Sequence, residues 1–285
     1  MPIRTDLALE AVHLHQDRSI DGITQEEYQT GRLKVTRVKI QSQAGEKKVG
    51  KPIGDYITVE SPPFSQGGAE HEEIETIARE ISSLLPQPLD GCVLVAGLGN
   101  FHITPDALGP RTADYTLATR HAALSGQEIF SAFSQVAVLS PGVLGQTGVE
   151  AGDLIHGTVR EIGAAALVVI DALAASSLSR LGNTVQITNT GISPGAGVQN
   201  SRKEISPATM GIPVVAVGIP TVVDAGTLAQ ELLGKTADAK DTARMIVTPR
   251  DIDEMIEKGA KLLAASINRA LQPNLSQEDI ASLTM

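Results

Sequence analysis

Two aspartates stand where apolar runs end. Asp106 comes shortly after Val93-Leu94-Val95-Ala96-Gly97-Leu98-Gly99, and Asp171 closes Ala166-Leu167-Val168-Val169-Ile170. In an open α/β sheet, ligands collect at the carboxyl ends of the strands, so two carboxylates placed there could converge on one cleft. A carboxylate pair suits peptide hydrolysis: one activates water, and the other, kept neutral by its neighbour's charge, polarises the carbonyl or protonates the leaving amine. Asp106 reads as lying in the first turn of a helix opened by Thr104 and Pro105, where the helix dipole favours its charged form. The apolar flank of Asp171 favours the neutral acid. Asp106 is then the base and Asp171 the acid, in a coupled titration that also permits the reverse. Each also has a plain structural reading, Asp106 as a dipole complement and Asp171 as the cap of a following helix.

Around this pair, the turn after Gly97 presents Asn100 and His102. A dinucleotide fingerprint fails here, because His102 stands where its third glycine belongs. The glycine-rich runs 140–148 and 190–197, the latter with Gly191 and Gly195, could wall a cleft and offer backbone N–H groups to a peptide or an oxyanion, or could be ordinary turns. Zinc held by Asp106, Asp171 and a histidine is the mechanistic rival. The histidines at 13, 15, 71, 102, 121 and 156 lack paired ligand spacing, and only His102 and His121 suit a cleft. No metal or cofactor is therefore expected. Arg202-Lys203-Glu204 reads as a solvated run that could also meet an acidic substrate side chain.

These residues need a scaffold, and the hydrophobic pattern describes one. Continuous apolar stretches at 92–96, 136–139, 166–170 and 214–217 fit strands covered on both faces. Helical patterns fall between them, at 105–123, 149–162 and briefly after Ala172. This predicts an α/β fold, a mostly parallel central sheet with helices on both faces. Ahead of it, 33–40 and 53–59 read as strands of a small β-rich N-terminal extension (about 33–62), joined by a basic hairpin or loop at 47–52. A helix with Ile74, Ile77, Ala78, Ile81 and Leu84 inward ends at Pro86. A last helix opens at Thr248-Pro249 with a capping-box pattern, and residues from Pro273 read as a frayed tail. No repeat or domain boundary is evident.

Composition narrows the function classes. The formal charge of −10, from 23 basic and 33 acidic residues, repels phosphate backbones, and seven aromatics give few stacking platforms, so direct nucleic-acid binding is not expected. No apolar run has the roughly 20 residues of a membrane span, and the start lacks a secretory signal, which predicts a soluble cytoplasmic protein without membrane partners. Cys92, the single cysteine, sits in an apolar strand pattern and reads as a buried thiol rather than a nucleophile.

Taken together, the motifs resemble the germination protease family of spore-forming bacteria, endopeptidases that degrade small acid-soluble spore proteins. The resemblance runs in order through Arg4-Thr5-Asp6-Leu7-Ala8-Leu9-Glu10-Ala11, Gly54-Asp55-Tyr56-Ile57-Thr58-Val59-Glu60-Ser61, Gly97-Leu98-Gly99-Asn100, Thr104-Pro105-Asp106-Ala107-Leu108-Gly109-Pro110 and Thr119-Arg120-His121. It resumes at Ile170-Asp171-Ala172-Leu173-Ala174, Arg202-Lys203-Glu204-Ile205-Ser206 and Gly218-Ile219-Pro220-Thr221-Val222-Val223-Asp224-Ala225. It implies an atypical aspartic endopeptidase, distantly similar in fold to hydrogenase-maturation peptidases, with Asp106 and Asp171 as the catalytic carboxylates. It further implies a homotetrameric zymogen of the forespore and spore core that processes itself. On that reading 1–6 is a propeptide cut off between Asp6 and Leu7, and 7–285 is a single peptidase domain. The metal-binding histidine of the maturation peptidases has no counterpart in the 191–200 loop, and the chain is shorter than longer family members between Ala225 and Ile246. A metal-dependent amide hydrolase on the same scaffold and a non-enzymatic α/β binding module are the alternatives.

Overall fold

The computed structural model describes residues 5–13, 21–66, 70–195, 202–233 and 245–284. Its strands are β1 Ile23–Thr30, β2 Leu33–Ile40, β3 Gly54–Glu60, β4 Cys92–Gly97, β5 Val136–Leu139, β6 Ala164–Ala175, β7 Thr184–Thr188, β8 Val214–Asp224 and β9 Ile246–Val247. They form one sheet in the order β1-β2-β3-β7-β8-β6-β4-β5, with β9 paired to β8. The half built from β5, β4, β6 and β8 is parallel. The half running from β8 through β7 and β3 to β1 is antiparallel. The N-terminal strands thus extend the central sheet through β7.

Period-two alternation sends the side chains of β6 to two cores. Ala166, Val168 and Ile170 face the Ile74, Ile77 and Ile81 row of the His71–Leu84 helix and the Ile256, Leu263 and Ile267 row of the Ile252–Leu271 helix. Leu167 and Val169 face Ile155 and Val159 of the Ala151–Ile162 helix. Full burial of each such Val, Leu or Ile stabilises the fold by about 1.5–3 kcal/mol, so β6 is firmly held between the two cores. The α/β class with helices on both faces is as the sequence predicts.

Several local expectations are corrected. Residues 23–30 form a strand although they read as polar, because Ile-Thr-Gln-Glu-Glu-Tyr-Gln-Thr makes an exposed edge with little to bury. The basic stretch expected as a hairpin or loop belongs partly to a helix, Gln43–Val49, capped by the Ser42 hydroxyl and stopped by Gly50 in the left-handed region. The helix expected over 105–123 is broken into a 3-10 turn, Thr104–Asp106, and two short helices, Leu108–Asp114 and Arg120–Ala123. The short helix expected after Ala172 is displaced and reduced: β6 runs on to Ala175, and only a 3-10 turn, Leu178–Arg180, follows. The last long helix starts after Asp251, not at Thr248, and Gln277–Leu283 is a helix with a Ser276/Asp279 capping box, not a frayed tail.

Candidate active site

Where β4 ends, Leu98 N–H donates to Ile170 O of β6 (2.8 Å) and the chain turns sharply. Gly99 has φ +116°, and a Cβ there would lie 2.0 Å from Asp106 O, so a side chain would push the Asp106 turn away. Gly109 serves the same end, because a Cβ on it would strike the Leu98 backbone at 2.2 Å. These two glycines let the 104–109 segment rest directly on the strand end. Thr221 Oγ1 of β8 donates to Pro105 O (2.8 Å) and pins the turn from the other side.

Asp106 therefore occupies a 3-10 turn ahead of the Leu108–Asp114 helix. Its charge is steadied by the Asn100 N–H, which donates to Oδ2 (2.8 Å), rather than by that helix's first turn. Burial raises its pKa above the ordinary carboxylate value, with the Asn100 bond opposing. Asp171 lies inside β6, opposite Gly218 of β8, so it caps no helix. A Cβ at Gly218 would come within 2.6 Å of Asp171 O. Asp171 is 6% exposed, and its Oδ1 accepts the Ala172 N–H (2.9 Å). Burial first, then the charges of Asp106 and Asp6, raise its pKa well above the ordinary value.

Both carboxylates line one cleft of about 430 Å³ at the carboxyl edge of the parallel strands. Gly142–Gly145 and Ser193–Gly195 form its walls, and Asn100, Arg202 and Thr221 also line it. Both glycine-rich runs thus border the cleft; positions 196–197 lie outside the described residues. Gly191 borders an adjoining cavity of about 240 Å³ instead. His102 is exposed, packs edge-on against Phe101 and does not line either cavity. His121 is exposed too, and His15 lies outside the described residues. Among the described residues, no three His, Cys, Asp or Glu side chains gather to hold a metal ion.

A third carboxylate enters the cleft from the N-terminal segment. Asp6 N–H donates to Ala174 O (3.0 Å), and Ala174 N–H donates to Asp6 Oδ2 (2.8 Å), so residue 6 is clasped to the end of β6. Burial raises the Asp6 pKa, against the pull of the Ala174 N–H and Lys51. Leu7 is fully buried among Ala175, Val223, Leu178, Leu181 and Val247. Glu10 ties the segment further, its Oε2 accepting from Ser176 N–H (2.8 Å) and the Thr5 hydroxyl. Lys51, which the sequence reading left in a basic loop, reaches this segment: Nζ donates to Thr5 O (3.0 Å) and Asp6 O (3.1 Å). Its partners are 46 and 45 residues away in the chain, so neither spacing nor periodicity marks it.

The family model described as germination protease matches residues 5–235. A germination protease of Caldanaerobacter subterraneus is 41% identical, over 99% of this chain and 98% of that protein. One from Clostridium tetani is 39% identical, with 99% of each chain covered. One from Priestia megaterium is 32% identical, over 99% of this chain and 97% of its own.

Proposed function

The chain belongs to the germination protease family and is a peptidase, and from that premise we propose that it uses Asp106 and Asp171 as an acid–base pair and first removes its own residues 1–6. The observation that carries this reading is the docked N-terminal segment. An acidic residue, Asp6, sits in the cleft that holds both aspartates, and the apolar residue after it, Leu7, fills an apolar recess. That is how a substrate with an acidic residue followed by an apolar one would lie.

In the proposed reaction, water adds to the Asp6 carbonyl carbon and gives a proton to one carboxylate. The other carboxylate delivers its proton to Leu7 N as the C–N bond breaks, leaving a carboxylate on Asp6 and an amine on Leu7. Asp171 is the more deeply buried of the two and the more strongly driven to its neutral form, which suits the acid; Asp106, steadied by Asn100 N–H, suits the base. The aspartic mechanism, the zymogen and the single domain 7–285 belong to this proposal. So do small acid-soluble spore proteins as substrates, a spore-core location and a homotetramer. The acidic surface fits attack on such a substrate once it is released from DNA, so excess DNA is expected to protect it. No helix among the described residues is long and apolar enough to cross a membrane.

Mass spectrometry of the purified chain tests the reading. The expected product starts at Leu7, forms faster at mildly acid than at neutral pH, and is absent in Asp106→Asn and Asp171→Asn, with chelators having little effect. The acid preference follows from three carboxylates crowded in one cleft, whose burial raises their pKa values above the ordinary carboxylate value of roughly 4, so that protons bind and repulsion eases at mildly acid pH. Processing unchanged in the variants, or a start at another residue, would defeat it. Activity restored only by added zinc would transfer the site to the metal class.

A further inference from the structure

We propose that Lys51 is a catalytic residue, whose ammonium holds the carbonyl oxygen of the bond being cut and stabilises the oxyanion formed when water adds. The proposal rests on the self-processing reading above and deepens it. Asp6 O, which accepts from Lys51 Nζ at 3.1 Å, is the oxygen of the Asp6–Leu7 peptide bond. A donor already within hydrogen-bond range of that oxygen needs little movement to follow it as it gains charge, which is the requirement for an oxyanion site.

The two cavities explain how the lysine reaches the bond without joining the carboxylates. Asp6 borders both of them; Lys51 borders the smaller, whereas Asp106 and Asp171 border the larger. The lysine and the aspartates thus approach residue 6 from different sides, leaving the larger cleft for water and the proton transfers. Local sequence fixes the lysine's position. Gly50, at φ 71°, ends the Gln43–Val49 helix, and Pro52 follows directly, so Lys51 is held between two backbone constraints just before β3. Burial lowers the lysine's pKa, while the charges of Asp6 and Glu10 hold the proton on it. The Asp6 carboxylate is engaged by Ala174 N–H, and the ammonium contacts the backbone oxygens of residues 5 and 6.

A lysine that merely seats the segment would make the same ground-state contacts, so the test must separate docking from chemistry. Self-processing of the full chain is followed by intact mass for wild type, Lys51→Met and Lys51→Arg. Docking is followed by hydrogen exchange at the Asp6 and Ala174 amides in an Asp106→Asn background, where the segment stays attached. Lys51→Met is expected to slow cleavage about 10²–10³-fold with amide protection unchanged, and Lys51→Arg to recover part of the rate. A Met variant that cuts within a few-fold of wild type overturns the proposal, as does a rate loss matched by lost protection. If wild type itself does not cut between Asp6 and Leu7, the self-processing reading falls and takes this proposal with it.

Discussion

The parallel and antiparallel halves of the sheet contribute differently to the same site. The parallel half supplies Asp106 from the turn after β4 and Asp171 from within β6, between two apolar cores, where burial raises both pKa values and the charges of Asp106 and Asp6 add to the rise at Asp171. The antiparallel half supplies Lys51 and packs the Ala8–His13 helix, through Ala8 and Leu9, against Val38, Ile40 and Tyr56. Its outer strand is mostly exposed, and it is secured from beneath by one buried carboxylate: Glu80 accepts from Arg37 Nε and Nη2 (3.0 and 2.5 Å) and from the Tyr28 hydroxyl. One half holds the buried carboxylates and clasps residues 6 and 7, and the other packs the helix that follows them and reaches residue 6 through Lys51.

If that division is right, substitutions in the two halves should separate activity from stability. The largest effect is expected in the parallel half. Asp171→Asn should lower peptidase activity by about 10²–10⁴-fold, the usual contribution of a positioned acid or base. The same variant should be more stable than wild type at pH 7. Because the folded pKa of Asp171 is raised, the native state gains most from it below the unfolded value of about 3.9 and loses that gain as pH rises through the folded value. The stability difference should therefore shrink toward zero as pH falls to about 4, which urea titrations across that range would show. A variant less stable at pH 7 would mean that the carboxylate anchors β6 rather than straining it.

An intermediate effect belongs to the antiparallel half. Arg37→Ala leaves the fully buried Glu80 carboxylate with the Tyr28 hydroxyl and the more distant Arg79. Because the arginine is 41% exposed, the expected cost is about 2–3 kcal/mol rather than the full price of a buried pair. Cleavage per folded molecule should not change. Loss of activity in step with loss of stability would erase the contrast between the halves. The smallest effect is expected at the edge, where Glu27→Gln removes an exposed pairing with Lys34 and should cost less than about 1 kcal/mol by thermal melting.

Sequence patterns reveal the parallel half better than the other, for a physical reason. Strands buried on both faces must be apolar throughout, so Ala166 to Ile170 and Val214 to Val217 stand out, and a charged residue at the end of one, as at Asp171, stands out further. An edge strand such as Ile23–Thr30 buries little and carries no such mark. The apolar runs mark less than the full strands, because β6 and β8 continue past the charged or glycine residues, Asp171 and Gly218, that end those runs. The Asp106 turn carries the pattern of a helix start, because Thr104 and Pro105 open a 3-10 turn equally well. Lys51 illustrates the deeper limit: its proposed role depends on a contact with residue 6, and local sequence does not encode that encounter.

The clasp between Asp6 and Ala174 also has a kinetic consequence. A segment tethered to the cleft it occupies is present there at an effective concentration on the order of millimolar, whatever the protein concentration in solution. Its cleavage should be first order and indifferent to dilution. On the proposed function, any other polypeptide would have to displace that built-in competitor before it could reach Asp106 and Asp171. On the proposed processing, cutting after Asp6 would remove the tether, so the released piece would be diluted into bulk solvent and the competition would end with a single turnover.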